Sequence, residues 1–195
     1  MSRTLRILVC SAIMGLLVLL PGAGDTASRT VTGDLDGDGD AERYLLTGHR
    51  LTVREGEAML WQSPPEWRVD GFSLGDVDND GAADLVMSLW KKGSFGPVRP
   101  FWEDREDRSY KNHLFVYRLT GDALRPVWCS SDLDRPIVSF VIRDADSNGL
   151  NELVVEEGEY RRTFGERYAL DRKAPARTTV WRWDGWGFSL CMDIE

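Results

Sequence analysis

The chain has 195 residues, a length that suits a single domain with a buried core. It carries 32 acidic and 24 basic residues, and its net charge of −8 disfavours nucleic acid as a partner. Eight Trp, five Tyr and seven Phe supply large apolar side chains, while no long helical period is found, so we expect an all-β fold.

The first 24 residues are typical of a secretory signal peptide. Arg3 and Arg6 form a basic start, an apolar stretch spans 7–20, and small residues follow at 21–24. We expect cleavage after residue 24, or as late as residue 27, with an uncleaved anchor as the alternative. The apolar stretch is shorter than the ~20 residues of a membrane span. The sequence therefore predicts a secreted, extracellular or cell-envelope protein with no stable membrane span after cleavage, and a single domain at 25–195.

Three copies of a nine-residue acidic pattern organise this domain: loop 1 at 34–42, loop 2 at 76–84 and loop 3 at 144–152. Each copy has oxygen-bearing side chains at positions 1, 3 and 5, a glycine at 6 and an acid at 9. That spacing curls a short loop around a hard cation, and the backbone carbonyl of position 7 adds one more oxygen. Calcium suits such a loop better than magnesium, which gives up its waters reluctantly. Solvated Asx turns are the alternative.

The predicted metal residues are those at positions 1, 3, 5, 7 and 9 of each loop. They are Asp34, Asp36, Asp38, Asp40 and Glu42 in loop 1, Asp76, Asp78, Asp80, Ala82 and Asp84 in loop 2, and Asp144, Asp146, Asn148, Leu150 and Glu152 in loop 3. An EF-hand is disfavoured because it needs a glutamate at position 12, where this chain has Leu45, Met87 and Val155. Short apolar runs follow each loop, so we expect every loop to join two strands.

Further strand-like segments follow each loop at matching places. Second strands are predicted at 50–54, 113–118 and 178–183, and third strands at 58–63, 124–130 and 187–192. With the strand before each loop, the sequence predicts three four-stranded antiparallel units, at about 29–66, 67–134 and 135–195. A four-stranded sheet repeated in tandem is the blade of a β-propeller.

The acidic hairpins resemble those of FG-GAP/VCBS-type repeats, the calcium-bearing blades of integrin α-subunit propellers and of many bacterial exported proteins. The resemblance covers essentially all of 25–195, and it implies structural calcium sites at one rim of a propeller, with partners met elsewhere. It says little about the ligand. Closed propellers have four to eight blades, so three units predict an open or partial propeller, or part of a homo-oligomeric ring.

Signals for catalysis are few. The two histidines, His49 and His113, lie beside predicted strand starts and are expected to be rim residues. The sequence has no Gly-x-Ser-x-Gly elbow, no His-Glu-x-x-His pair and no glycine-rich phosphate loop. We therefore expect a protein that is not an enzyme, with a polysaccharide lyase or hydrolase as the alternative.

Two insertions, at 91–112 and 157–177, hold twelve of the 22 basic residues that remain after signal cleavage. Strand reversal places both opposite the loops. Cations beside aromatic rings suit an anionic, carbohydrate-like polymer or an extracellular protein. The alternative is a purely structural module, in which these cations pair with neighbouring acids and the rings cap the open arc. The candidate ligand residues are Lys91, Lys92, Phe95, Arg99, Phe101, Trp102, Arg161, Arg162 and Phe164.

Cys129 and Cys191 occupy matching third-strand positions in neighbouring units. Stacked sheets lie ~10 Å apart, which exceeds the ~7 Å limit between the Cα atoms of a disulfide. The sequence therefore favours two free thiols over a bond.

Overall fold

A computed structural model describes residues 28–94 and 107–194. The predicted signal peptide and the candidate ligand residues Phe95, Arg99, Phe101 and Trp102 lie outside these ranges. The described residues form fourteen strands and no helix, so the all-β prediction is confirmed. None of the described residues forms a helix long and apolar enough to cross a membrane.

The first and third sheets are four-stranded antiparallel meanders, as expected. The first sheet contains β1 (Arg29–Gly33), β2 (Glu42–Thr47), β3 (Arg50–Glu55) and β4 (Ala58–Gln62). The third sheet contains β9 (Ile137–Arg143), β10 (Glu152–Glu157), β13 (Arg177–Trp183) and β14 (Phe188–Ile194). Loops 1 and 3 join the first two strands of their sheets.

The second sheet has six strands, and here the expectation of four was wrong. Its meander contains β5 (Arg68–Gly75), β6 (Asp84–Lys92), β7 (Tyr110–Thr120) and β8 (Ala123–Cys129). A hairpin of β11 (Tyr160–Phe164) and β12 (Arg167–Leu170) joins the start of β7, where Arg167 pairs with Tyr110 in parallel. The hairpin comes from the third unit's insertion, so this insertion is not a simple loop on its own sheet.

The second sheet lies between the other two and is buried on both faces. Leu85, Met87 and Leu89 of β6 pack with the first sheet in one apolar cluster. Val86 packs with the third sheet in a second cluster. Because successive side chains of a strand point to opposite faces, a nearly continuous apolar run on β6 serves both interfaces. The three sheets therefore stack face to face, with loops 1, 2 and 3 at corresponding ends.

The two cysteines within the described residues are free thiols, with Cys129 half-buried and Cys191 exposed. The expectation that His113 is a rim residue was wrong, because its side chain is fully buried inside β7. The length of β7 explains the difference: three residues of this strand precede His113. His49 lies exposed in the turn between β2 and β3.

Candidate functional site

The three acidic loops share one backbone conformation. Position 6 has a positive φ in each, 99° at Gly39, 93° at Gly81 and 88° at Gly149. Position 4 is also left-handed, even where it is not glycine, with φ of 61° at Asn79 and 63° at Ser147. Residues other than glycine adopt the left-handed region at a cost in conformational free energy. Its recurrence at position 4 therefore indicates that the three loops have a common backbone design.

The carboxylate at position 1 organises each loop from within. It accepts a hydrogen bond from the position-6 N–H, at 3.1 Å in loop 1, 2.9 Å in loop 2 and 2.8 Å in loop 3. The side chain at position 5 accepts the N–H of position 7, at 2.8–2.9 Å. These bonds leave other lone pairs of the same oxygens for a cation.

The loop carboxylates converge closely enough to hold a metal ion. Within each group, oxygens from different residues lie within 4.8 Å of one another. The groups are Asp34, Asp36, Asp38 and Glu42 in loop 1, Asp76, Asp78 and Asp80 in loop 2, and Asp144, Asp146 and Glu152 in loop 3. The position-7 residues contribute no side chain to these groups, in keeping with the backbone role expected of Asp40, Ala82 and Leu150.

Glu42 gives the clearest indication of a cation in loop 1. Its side chain is 0% exposed, and Oε2 accepts hydrogen bonds from the Leu35 N–H (3.0 Å) and the Tyr44 hydroxyl (3.1 Å). Its other oxygen, Oε1, is buried without any partner. A buried acceptor left unpaired costs about 1–3 kcal/mol, and more when it is charged. The donor set of loop 1 therefore fits a cation at this oxygen.

Loop 2 receives a side chain that sequence reasoning missed. Arg118, near the end of β7, extends into the loop and donates to Asp84 Oδ1 from Nε (3.0 Å) and Nη2 (2.8 Å). Its Nη2 also donates to Asp78 (3.0 Å), and its Nη1 pairs with Asp80. Although Arg118 opposes it, burial raises the pKa of Asp84 to about 6. Asp84 Oδ2 is buried without a partner, so this carboxylate is only partly satisfied.

Arg182 of β13 plays the same part in loop 3. It donates to Glu152 Oε1 from Nε (3.0 Å) and Nη2 (2.7 Å), and to Asp146 from Nη2 (2.9 Å). Glu152 Oε2 accepts the Ala145 N–H at 2.9 Å, so both of its oxygens have partners.

Loop 1 has a glutamate where the other loops have an arginine. The last paired residues are Leu85 with Tyr117, Leu153 with Trp181 and Arg43 with Arg54. Continued by one residue, these registers place Asp84 opposite Arg118, Glu152 opposite Arg182 and Glu42 opposite Glu55. Burial, and then the charges of the loop 1 carboxylates, raise the pKa of Glu55. The predicted second strands at 50–54 and 113–118 both end with arginine, which hid this difference: Arg54 is one position away from the register that Arg118 occupies.

Loops 2 and 3 are joined to each other by amide hydrogen bonds. Asn79 donates to the Asn151 carbonyl (3.0 Å) and accepts the Asn151 N–H (2.6 Å), while the Asn151 side chain donates to the Asp76 carbonyl (2.8 Å). Glycine and alanine occupy the matching positions 37 and 83, so loops 1 and 2 have no such bridge.

A pocket of about 550 Å³ lies at the end of the second sheet that is far from loop 2. It opens between strands β5, β6 and β7 on one side and the β11–β12 hairpin on the other. Trp90, 3% exposed, donates its indole N–H to Asp70 (2.8 Å), and Arg68 pairs with the same carboxylate (3.0 Å). Tyr110 stacks on Trp90 with a centroid separation of 6.2 Å. Pockets that take small ligands have volumes of about 300–1,000 Å³. The complete lining is Arg68, Asp70, Trp90, Tyr110, Arg161, Tyr168, Ala169, Leu170, Asp171, Arg172 and Lys173.

The pocket is locally cationic on an acidic protein. Four basic and two acidic residues line it, a net charge of +2 against −8 for the chain. Arg161, Arg172 and Lys173 make no ion pair with any described residue. Of the four lining cations, sequence reasoning named Arg161 but missed Arg172 and Lys173 in the same insertion. It also missed Arg68 and Trp90, which lie outside that insertion.

The candidate ligand residues that the structure describes are dispersed. Arg161 lines the pocket. Lys91 is buried, and its ammonium donates to the Lys92 carbonyl (3.3 Å) and to the Gly93 carbonyl. Burial lowers the Lys91 pKa, and this side chain is not on the open surface. Lys92 is exposed, Arg162 donates to the Gly165 carbonyl (2.7 Å), and Phe164 is 85% exposed at the tip of the hairpin.

No known protein-family model matches the chain, and no curated protein matches it either. The loops and the pocket therefore carry the functional argument.

Proposed function

We propose that this chain is an exported, calcium-stabilised repeat protein of the FG-GAP/VCBS type that binds an anionic, carbohydrate-like partner. Its three stacked sheets form an open arc of propeller-type blades. The observation that carries the proposal is the separation of charge along one strand: β6 begins in loop 2 at Asp84 and reaches the cationic pocket at Trp90. Six residues of strand separate these ends by ~20 Å, so metal and partner sites are distinct.

Calcium is the cation that the loops favour on chemical grounds. Their side chains offer only oxygen, and softer metals prefer nitrogen or sulfur ligands. The position-1 carboxylate is held by backbone N–H groups, and position 7 offers a carbonyl, so five residues of one short segment can share the ion. The cation neutralises carboxylates that otherwise repel one another, which is a structural role.

Calcium should therefore stabilise the folded protein. At a free concentration one hundred times the dissociation constant, one site contributes about 2.7 kcal/mol to the free energy of unfolding. We expect the melting temperature of the mature chain to rise when calcium replaces EGTA. Asp34→Asn should remove much of this shift, whereas Asp122→Asn, at an exposed turn outside the loops, should retain it. An identical melting temperature in calcium and in EGTA would refute the cation role.

The pocket suits a partner that combines negative charge with a ring-shaped apolar face. Tyr110 is covered by the stacked Trp90 and by the Arg167 guanidinium, which lies 4.7 Å from its ring centroid. Tyr168 is half-buried and is the ring that can stack on a sugar. Arg161 and Arg172 provide forked donors for a carboxylate. The Lys111 ammonium lies 5.4 Å from the Tyr168 ring centroid, a cation–π contact that helps to fix the orientation of this ring.

Retention on immobilised polygalacturonate tests this assignment, with its methyl ester as the uncharged control polymer. The double variant Arg161→Gln/Arg172→Gln should bind about 5- to 30-fold more weakly, because each surface ion contact contributes about 0.5–1 kcal/mol. Arg125→Gln/Arg143→Gln removes the same charge from exposed strand positions remote from the pocket, and it should bind normally. Equal retention of both double variants, or no retention of the parent, contradicts the partner assignment and leaves a structural role.

A further inference from the structure

The three loops differ in the residue that faces the closing acid from the next strand. Loop 2 has Arg118 and loop 3 has Arg182, each within 3.0 Å of its closing carboxylate. Loop 1 has Glu55, and the described residues place no cation against Glu42. The residue at this position is therefore basic in two loops and acidic in the third, although the three loops share one backbone conformation.

This difference produces a steep gradient of charge. Loop 1 has five carboxylates and Glu55, so it carries six negative charges. Loop 2 has four carboxylates and one arginine, a net of −3, and loop 3 has three carboxylates and one arginine, a net of −2. The affinity of such loops for calcium depends on the number of charged ligands.

The arginines also use the very oxygens that a metal would need. Arg118 bonds to the acids at positions 3, 5 and 9 of loop 2. Arg182 bonds to the acids at positions 3 and 9 of loop 3, whose position 5 is the neutral Asn148. A divalent cation entering either loop has to displace a guanidinium or share carboxylates with it at close range, and like charges repel.

Loops 1 and 2 each have one buried oxygen of the closing acid without a partner, Glu42 Oε1 and Asp84 Oδ2. Asp84, however, is bonded to Arg118 and lies outside the converging group of loop 2, whereas no described cation bonds to Glu42. Glu42 is 0% exposed, its Oε1 has no partner, and it belongs to the group of four acids whose oxygens lie within 4.8 Å of one another. This oxygen is an observation independent of the acid count, and it points to a ligand in loop 1.

We propose that Arg118 and Arg182 are resident cations of loops 2 and 3, and that loop 1 is the one high-affinity divalent-cation site of the three. In loops 2 and 3 the arginine neutralises part of the carboxylate charge in the absence of metal. These loops bind calcium only when the arginine side chain moves away from the carboxylates or is removed by mutation. This inference rests on the proposed calcium binding, and it changes the expected number of tightly bound ions from three to one.

Isothermal titration of EGTA-treated, dialysed mature protein with calcium chloride tests the inference. The parent should bind one equivalent tightly. Arg118→Gln/Arg182→Gln should bind three, because loops 2 and 3 then lose their internal cation. Glu55→Arg should convert loop 1 into a loop of the other kind and weaken its calcium binding at least about tenfold. The charge-matched control Arg125→Gln/Arg162→Gln, which removes two exposed arginines that make no contact with the loop acids, should bind one equivalent, like the parent.

The outcomes separate the inference from the function on which it rests. Three tight equivalents in the parent overturn the inference while calcium binding stands, and unchanged binding by Glu55→Arg also overturns it. If neither the parent nor any arginine variant binds calcium, the proposed calcium binding itself is overturned. If circular dichroism shows that Arg118→Gln is unfolded, the single variant Arg182→Gln decides, because the Arg182 side chain is 37% exposed and its loss should be tolerated. Two tight equivalents would support the inference, and one would contradict it.

Discussion

Arg118→Met should destabilise the metal-free protein by an amount that the geometry of loop 2 sets. Methionine keeps most of the apolar stem and removes the charge. Breaking a fully buried ion pair costs about 3–5 kcal/mol because one charge stays buried and unpaired. Asp84 is 0% exposed, but Arg118 is 26% and Asp80 43% exposed, so solvent replaces part of the lost contact. We therefore expect a loss of about 2–3 kcal/mol.

Urea unfolding in EGTA, followed by tryptophan fluorescence, measures this loss. For a domain of this size the melting temperature should fall by about 4–12 °C. Arg125→Met, an exposed cation on the neighbouring strand, is the control and should change stability by less than about 0.5 kcal/mol. Adding calcium should restore about 2.7 kcal/mol to Arg118→Met at one hundred times the dissociation constant of the vacated loop. Equal stability of the two variants in EGTA would refute the resident-cation argument, as would a loss that calcium leaves unchanged.

Three further results are expected. Burial raises the pKa of the Cys129 thiol to about 11, so a maleimide at pH 8 should label Cys191 quickly and Cys129 only after unfolding; equal rates would contradict this. Burial raises the pKa of Asp107, but hydrogen bonds from two serines outweigh it and hold the pKa well below its usual range. Its stabilisation should therefore be full above about pH 4 and lost below, so that the gap between the parent and Asp107→Asn in urea unfolding narrows only under acid conditions. Asn79→Ala should cost about 1–2 kcal/mol through its two bonds to Asn151, and a cost as small as that of an exposed-site alanine would contradict the bridge.

The loops and their flanking strands were predictable because their signals are local. A glycine at position 6 and acids at fixed spacing specify the turn within nine residues, and the structure shows matching conformations at Gly39, Gly81 and Gly149. The apolar runs after each loop correctly predicted strands. These features depend on neighbours in sequence, and no distant contact is needed to form them.

Features set by pairing between distant segments could not be obtained in this way. Identifying Glu55 as the residue opposite Glu42 requires the exact register of β2 and β3, and an error of one residue selects Arg54 instead. The β11–β12 hairpin joins a sheet from another unit through Tyr110, a contact between residues more than fifty positions apart. Lys91 was assigned to an open surface because it is charged, whereas its ammonium is folded back onto backbone carbonyls.

The β11–β12 hairpin also affects how the protein unfolds and how it folds during synthesis. In ordinary tandem arrays each repeat touches only its neighbours and opens with some independence. Here the Tyr110 N–H donates to the Glu166 carbonyl, and the Tyr160 hydroxyl donates to the Leu133 carbonyl, so a hairpin from the third unit is bonded to the second sheet and to the segment that follows it. We expect the amide protons of the hairpin and of the second sheet to exchange with solvent together, and more slowly than those of the first sheet. During synthesis the second sheet stays incomplete until residue 170 has emerged, so the growing chain carries an unfinished strand edge, where aggregation begins, until the third unit is largely made.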